Sequence, residues 1–251
     1  MNHNEITERL DLNDGDFSEI MFSLMRYYSI SKCCKNKEVV DIACGTGYGS
    51  FLLSNVSKIV YGIDINSEVI EKNKEKYNKE NLIFKVGSTD NIPIENKKID
   101  VIVSCETVEH ISSEQFSIFL DECLRVLKKN GIVFITTPNL DKTATFETRN
   151  PYHINEMSMQ FFENELKKYF KFVEIYCLDL NLVTYMRKVH NDSENLSVIS
   201  VKNWKLNDGV NTNTIYMAAV CSNKKLSKVD VSSVFIDEDK TLNEQLWNKV
   251  K

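Results

Sequence analysis

Short apolar runs alternate with amphipathic segments along most of the chain, a pattern typical of strand–helix–strand units on a parallel sheet. The runs predict strands at Glu38–Ala43, Lys58–Ile63, Leu82–Val86, Ile99–Ser104 and Gly131–Thr136. The segments between them predict helices at Tyr48–Ser54, Ser67–Lys79 and Ser113–Lys129. The last helix has the clearest pattern, because apolar residues recur at helical spacing, two serines precede them and Gly131 follows them. We therefore expect an α/β fold with helices on both faces of the sheet.

The pattern changes after Pro138, where an irregular stretch from Asn139 to Asn155 is longer than most connections. Connections of that length are often functional. The elements predicted beyond it are a helix with Met159, Phe162, Leu166 and Tyr169 on one face and strands at Lys171–Leu178 and Thr212–Ser222. The tail carries the apolar stretch Val231–Ile236 and a short amphipathic helix with Leu242, Leu246 and Val250. Two late strands after five parallel ones predict a mostly parallel, seven-stranded sheet with an antiparallel hairpin at one edge.

Composition indicates one globular domain over residues 1–251, with a core of about 20–222 and a C-terminal extension at 223–251. The net charge is −5, and lysine-rich stretches are diluted by acids, so we expect no nucleic-acid partner. No apolar run is long enough to cross a membrane. Seven cysteines without Cys-x-x-Cys spacing, and no signal peptide, favour a reducing cytoplasm, and the rarity of Gly and Pro is typical of a bacterial protein.

A glycine-rich turn follows the first predicted strand. Gly45, Gly47 and Gly49 allow the sharp change of direction and the close approach of a ligand to the backbone. A dinucleotide-binding turn places its third glycine five positions after the first, whereas Gly49 follows Gly45 by four. Asp41 ends the strand, where its carboxylate would repel a pyrophosphate but help to orient an ammonium group. Both features favour a cofactor with an amino-acid end over a nicotinamide dinucleotide.

Acids follow the second and third strands as well. Asp64 ends the second strand, where a carboxylate can accept hydrogen bonds from both hydroxyls of a ribose. Asp90 follows the third strand, where it could accept from an adenine amino group beside the backbone of Asn91. Each acid alone could equally cap a helix. A glycine turn and two acids at successive strand ends are harder to explain without an adenosyl ligand.

The chain resembles the class I S-adenosylmethionine-dependent methyltransferases of small-molecule type, through Val40–Gly49, Cys105–His110 and Asn150–His153. The resemblance implies S-adenosylmethionine as cofactor and S-adenosylhomocysteine as product. It implies that Asp41, Gly45 and Gly47 face the methionine part, that Asp64 binds ribose and that Asp90 binds adenine. The other residues expected at the cofactor are Arg26 and Tyr27 over the methionine end, Tyr48, Ile65, Ser88 and Asn91, and Cys105 and Glu106 near the sulfonium.

Two histidines are candidates for activating the acceptor. His110 follows the fourth strand, and His153 lies with Tyr152 in the long connection after the fifth. A sugar hydroxyl is a poor nucleophile until its proton leaves, and an imidazole titrates near neutral pH. His110, however, could instead have a structural role and form hydrogen bonds only with the backbone. Asn-Pro-aromatic-His runs resemble those of methyltransferases of bacterial surface-polysaccharide (capsule) pathways, which implies O-methylation of a nucleotide-linked sugar.

Several alternatives stay open or are disfavoured. A small amine would need no strong base, so N-methylation is an alternative, as is a non-catalytic cofactor-binding protein. Amino-directed DNA methyltransferases carry an Asn/Asp-Pro-Pro-aromatic motif after the fourth strand. Asn150-Pro-Tyr152 lacks the second proline and does not follow the fourth strand. Paired acids at the fourth and fifth strand ends, typical of metal-assisted methyltransferases, are absent, so we expect no metal. A homodimer is compatible with the sequence.

Overall fold

The computed structural model describes residues 17–146, 150–179, 199–202, 205–208 and 214–225. Its strands are β1 (Glu38–Ile42), β2 (Ile59–Asp64), β3 (Leu82–Val86), β4 (Ile99–Cys105), β5 (Leu127–Pro138), β6 (Phe172–Leu178), β7 (Ile199–Lys202), β8 (Lys205–Asp208) and β9 (Tyr216–Ser222). Its helices are α1 (Phe17–Cys34), α2 (Tyr48–Ser54), α3 (Ser67–Lys76), α4 (Ser113–Val126), α5 (Leu140–Thr143) and α6 (Met159–Lys167), with a 3₁₀ turn at Val108–His110. The tail stretch Val231–Ile236 and the predicted tail helix lie outside the described residues.

Seven strands form one sheet in the order β3-β2-β1-β4-β5-β9-β6. The first five are parallel, and β9 runs antiparallel to both of its neighbours, β5 and β6. The predicted Rossmann-like sheet with an antiparallel edge is therefore confirmed. The chain order reverses between β1 and β4, and ligands of open α/β sheets bind at the carboxyl ends of the strands beside such a reversal.

The core consists of two apolar clusters, one on each face of the sheet. Successive residues of β1 point to opposite faces, so Val39 packs with α1, α2 and α3 while Val40 packs with α4 and α6. Burial of each such side chain contributes about 1.5–3 kcal/mol. The next residue, Asp41, points to the same face as Val39 and is fully buried there beneath the glycine turn.

The end of α4 differs from the sequence prediction. The helix stops at Val126 instead of Lys129, because Leu127 turns to extended backbone and pairs with Ile99 as the first residue of β5. Gly131 consequently lies inside β5 and does not terminate the helix. A Cβ at Gly131 would lie 2.6 Å from the Leu127 side chain, so the glycine allows a close contact between strand and helix end.

The stretch from Asn139 to Asn155, predicted to be irregular, contains the short helix α5. The Asn139 side chain caps this helix by accepting from the backbone amide of Asp141. The stretch then returns to the carboxyl end of β4, where the amides of Ile154 and Asn155 both donate to the Glu109 carbonyl. This contact holds the connection after β5 against the 3₁₀ turn after β4.

No helix among the described residues is long and apolar enough to span a membrane.

Candidate active site

A cavity of about 720 Å³ opens at the carboxyl ends of β1, β2 and β4, within the size range of small-molecule sites. It is lined by the glycine turn, the ends of α1 and β4, the 3₁₀ turn and His153. A second cavity of about 760 Å³ lies at the opposite end of the sheet, around Lys97, Lys128 and Gly131. Because ligands of open α/β sheets bind at the carboxyl ends of strands, the first cavity is the candidate site.

The glycine turn is held in a left-handed conformation. Gly45 has φ +52° and Gly47 has φ +76°, values that other residues adopt only with strain. The Asn73 side chain of α3 donates to the Gly45 carbonyl at 2.7 Å and fixes the turn from below. A Cβ at Gly45 would meet no atom within 4 Å, because this residue faces the open cavity. The turn therefore leaves space for a ligand against its backbone.

Asp64 joins the end of β2 to this turn. One of its carboxylate oxygens accepts from the Gly45 amide at 2.9 Å, and the other accepts from the Asn66 amide at 2.9 Å. The side chain is almost fully buried, yet it lines the cavity. An ionised carboxylate with both oxygens oriented by backbone amides is well prepared to accept from ligand hydroxyls.

Asp41 lies behind the turn and does not line the cavity. Its carboxylate accepts from the Ser50 hydroxyl at 2.6 Å and from the Tyr27 hydroxyl at 3.2 Å. Complete burial raises the pKa of Asp41 to about 7, against the stabilising effect of these bonds on the ionised form. Asp41 thus connects α1, β1 and α2 underneath the site.

The raised pKa of Asp41 predicts a pH dependence of stability. The folded state holds the proton more tightly than the unfolded state, so this group stabilises the fold at low pH, and that stabilisation is lost as pH rises from about 4 to about 7. The loss is on the order of 4 kcal/mol. In Asp41→Asn the free energy of unfolding should not show this decrease with rising pH. Denaturant titrations from pH 4.5 to 8 measure it, and a constant difference between wild type and variant would contradict the assignment.

Arg26 and Glu106 form an ion pair at 3.1 Å on the cavity wall between α1 and β4. The Arg26 guanidinium is buried and lies 4.5 Å above the centre of the Tyr216 ring. Glu106 also accepts from the Thr136 hydroxyl and adopts φ +51°, which is unusual for a residue with a side chain. Strain of this kind at a cavity wall is common where a side chain must be aimed at a ligand.

Glu109 is fully buried at the far end of the cavity. One carboxylate oxygen accepts from the Thr137 hydroxyl at 3.0 Å, and the other, Oε1, has no hydrogen-bond partner among the described residues. Burial, together with the neighbouring Glu106 carboxylate, raises the pKa of Glu109 well above its usual range.

The two candidate histidines meet beside Glu109, with ring centres 5.0 Å apart. His110 places Nδ1 3.1 Å from the Tyr152 carbonyl oxygen. His153 places Nδ1 2.6 Å from a carboxylate oxygen of Glu156 and Nε2 3.1 Å from the Asn150 amide. Glu109, His110 and His153 each offer one possible ligand atom, and these three atoms lie within 4.8 Å of one another. Such a group could hold a metal ion, whereas the sequence predicted no metal.

Most of the sequence-predicted site residues lie on the cavity wall: Arg26, Tyr27, Gly45, Tyr48, Asp64, Ile65, Ser88, Cys105, Glu106, His110 and His153. Asp41, Gly47, Asp90, Asn91 and Tyr152 are not on that wall. Asp90 is exposed and bonded to the Ser88 hydroxyl, and Tyr152 contributes its carbonyl to His110 while its ring is exposed.

Sequence reasoning missed Glu156, Asn73 and Tyr216, which support the site from other elements. The His-x-x-Glu spacing of His153 and Glu156 was the available signal for the first of these. Asn73 and Tyr216 carry no such signal, because their roles depend on how α3 and β9 pack against the turn and α1.

Comparisons with known proteins agree with this geometry. The family model described as "Methyltransferase domain" matches residues 40–135. A probable S-adenosylmethionine-dependent methyltransferase of Mycolicibacterium smegmatis is 27% identical over 53% of this chain and 51% of its own length. A ubiquinone biosynthesis O-methyltransferase of Pelagibacter ubique is 40% identical over 44% of this chain and 46% of its own length. The chain thus spans about half the length of these curated relatives.

Solved structures support the fold. A SAM-dependent methyltransferase from Archaeoglobus fulgidus superposes with a TM-score of 0.57 at 19% identity, covering 82% of this chain and 94% of that one. The sheet order, the cavity at the strand ends and the matched family model are consistent with one another. Residues 40–135 are similar to a methyltransferase domain family, and the fold is shared with an S-adenosylmethionine-dependent methyltransferase of known structure.

Proposed function

We propose that the protein transfers the methyl group of S-adenosylmethionine to a hydroxyl of a small molecule, with the hydroxyl of a nucleotide-linked sugar as the leading candidate. The observation that carries the proposal is the placement of His110 and His153 in the same cavity as Asp64 and the glycine turn. A cofactor side and an acceptor side therefore share one cavity. The name of the Pelagibacter relative, an O-methyltransferase, also favours a hydroxyl acceptor.

On the cofactor side, the wall complements an adenosyl amino acid with a cationic sulfur. Asp64 would accept from the ribose hydroxyls, and Ile65, 74% exposed, is available to pack against the adenine ring. Arg26 would bind the methionine carboxylate, since an arginine fork matches a carboxylate. Asp64 places a carboxylate on the cavity wall, which favours a positive ligand.

When bound, S-adenosylmethionine supplies a methyl group on a positively charged sulfur, which an acceptor atom displaces in line. Holding the reacting atoms in line accounts for much of the acceleration in such reactions. The protein's own contribution is to position the acceptor and to take up its proton. Glu156 orients His153 through Nδ1, so that Nε2 is the ring nitrogen that would take a proton from a hydroxyl once the acceptor displaces the Asn150 amide.

Replacement of His153 tests the acceptor side. In His153→Ala we expect kcat to fall by roughly 10²–10⁴-fold while the affinity for S-adenosylhomocysteine is unchanged, because the residue lies away from the glycine turn and Asp64. Gln160→Ala, an exposed change on the nearby helix α6, serves as the control and should leave both quantities unchanged. A loss of cofactor affinity in His153→Ala would instead place this residue on the cofactor side.

The acceptor itself can be identified with S-adenosylmethionine carrying a labelled methyl group. The enzyme is incubated with nucleotide-sugar pools, with other hydroxylated metabolites and with small amines, and the labelled product is identified. Label on a sugar oxygen supports the full proposal, and label on another hydroxyl supports O-methylation of a different acceptor. Label on nitrogen, with turnover insensitive to removal of both histidines, would replace it by N-methylation.

A further inference from the structure

A carboxylate and two imidazoles converge at the acceptor end of the cavity. Glu109 and His110 come from the 3₁₀ turn after β4, and His153 comes from the connection after β5. The two backbone bonds from Ile154 and Asn155 to the Glu109 carbonyl hold these segments together. One ligand atom from each of the three side chains lies within 4.8 Å of the other two. Ligand atoms bound to one first-row metal lie about 3–4.4 Å apart, so closure around an ion needs movement on the order of 1 Å.

The unpartnered oxygen of Glu109 is the second observation. Oε1 is fully buried and accepts no hydrogen bond from the residues that the structure describes, although Oε2 is bonded to Thr137. A buried polar atom without a partner is energetically costly, and more so if it is charged. Such an atom on a cavity wall indicates that a ligand belongs there.

The surroundings of the histidines are those of metal ligands. His110 donates from Nδ1 to the Tyr152 carbonyl, and His153 donates from Nδ1 to Glu156, as the nature of these acceptors requires. In both rings the lone pair that a metal ion would coordinate is therefore on Nε2, which at His153 accepts from the Asn150 amide. Ligating histidines in proteins almost always donate their other nitrogen to a carboxylate or a carbonyl. Glu156 is in turn bonded to the Thr143 hydroxyl, which fixes its orientation.

We propose that Glu109, His110 and His153 bind one divalent first-row transition-metal ion at the acceptor end of the cavity. Two imidazoles and one carboxylate suit Zn²⁺, Fe²⁺ or Co²⁺ better than Mg²⁺ or Ca²⁺, which prefer oxygen ligands alone. Three protein ligands leave coordination positions open, as in catalytic metal sites. On coordination, the ion would take the place of the Asn150 amide at Nε2 of His153.

The role of this ion rests on the proposed function. A hydroxyl oxygen bound to the metal loses its proton to solvent more readily, because the cation stabilises the alkoxide. The oxygen lone pair then forms the O–C bond, the C–S bond breaks with its electrons going to sulfur, and no atom is oxidised or reduced. With the ion bound, the two histidines act as its ligands, and loss of the acceptor proton to solvent replaces the direct uptake by Nε2 of His153 that is proposed above for the protein without an ion.

The test is a titration of the untagged protein with Co²⁺, whose visible absorption reports imidazole coordination. A Cys177→Ser background removes an exposed thiol that could compete for the ion. We expect one equivalent to bind with an absorption spectrum typical of nitrogen and oxygen ligands, and Zn²⁺ but not equimolar Mg²⁺ to displace it. Absence of Co²⁺ binding to protein that binds S-adenosylhomocysteine would overturn the metal site while leaving the methyltransferase proposal intact.

Variants locate the ion. Glu109→Gln and His153→Asn should weaken Co²⁺ binding by at least 100-fold, and Glu156→Gln should weaken it by roughly 10–100-fold through loss of orientation of His153. Glu114→Gln, an exposed acid at the start of α4, is the matched control and should bind Co²⁺ normally. Because Glu109 is buried and its variant could fail to fold, His153→Asn and Glu156→Gln are the variants that decide whether the ion binds at this site. Unchanged Co²⁺ affinity in both of them would overturn the site.

Discussion

Replacement of Asp64 by alanine should weaken binding of S-adenosylhomocysteine by at least about 100-fold. In the proposed function this carboxylate accepts from the ribose hydroxyls, and hydrogen bonds to a charged group contribute about 1.5–3 kcal/mol each. The same change removes the acceptor of the Gly45 amide, so the glycine turn also loses its link to β2. Calorimetric titration measures the affinity. The control is Asp121→Ala, an exposed acid on α4, which should bind as the wild type does.

An unchanged affinity in Asp64→Ala would mean that the ribose is bound elsewhere. Asp64→Asn refines the result, because an asparagine oxygen can still accept one hydrogen bond without the negative charge. We expect its affinity to lie between those of the wild type and the alanine variant.

Gly49→Ala should produce the largest loss of stability. A Cβ at this position would lie only 1.9 Å from Cζ of Tyr27, which is far inside any allowed contact. Tyr27 is buried and its hydroxyl is bonded to Asp41, so moving the ring breaks that bond and opens the packing between α1 and α2. Overpacking and an unsatisfied buried carboxylate together should cost roughly 2–5 kcal/mol. Denaturant unfolding monitored by circular dichroism measures the loss.

Two companion variants decide whether this explanation is right. In the double variant Gly49→Ala with Tyr27→Ala, the loss should be smaller than the sum of the two single losses, because the added methyl no longer overlaps a ring. Gly45→Ala, whose Cβ would meet no atom, should cost only about 1 kcal/mol of backbone strain. A Gly49→Ala protein as stable as Gly45→Ala would contradict the packing of Tyr27 against the turn.

The sheet and the glycine turn at the carboxyl ends of its strands were largely predictable because they depend on local patterns. Strand order follows from alternating strands and helices, and a ligand-facing turn needs glycines whatever surrounds it. The end of α4 was mispredicted because Gly131 is typical of a helix end, while pairing of Leu127 with Ile99 determines the observed structure. Tertiary contact outweighed the local signal there.

The acceptor side was predictable only in part. His110 and His153 were candidates because histidines are few, but their meeting depends on the bonds from Ile154 and Asn155 to the Glu109 carbonyl. No spacing rule connects residues so far apart in sequence, which is why the sequence predicted no metal. The position of Asp41 behind the turn also depends on packing, since the strand pattern tells which face it points to but not what covers it.

Calorimetric titration of S-adenosylhomocysteine into the wild-type protein and into Asp64→Ala tests the central claim most directly. That claim is that the glycine turn after β1 and the carboxylate after β2 bind a single adenosyl ligand. The account predicts one ligand per chain for the wild type and a loss of about 100-fold or more in the variant, with both proteins folded by circular dichroism. No heat from folded wild-type protein, at ligand concentrations well above its own, would contradict the claim and the acceptor chemistry built on it.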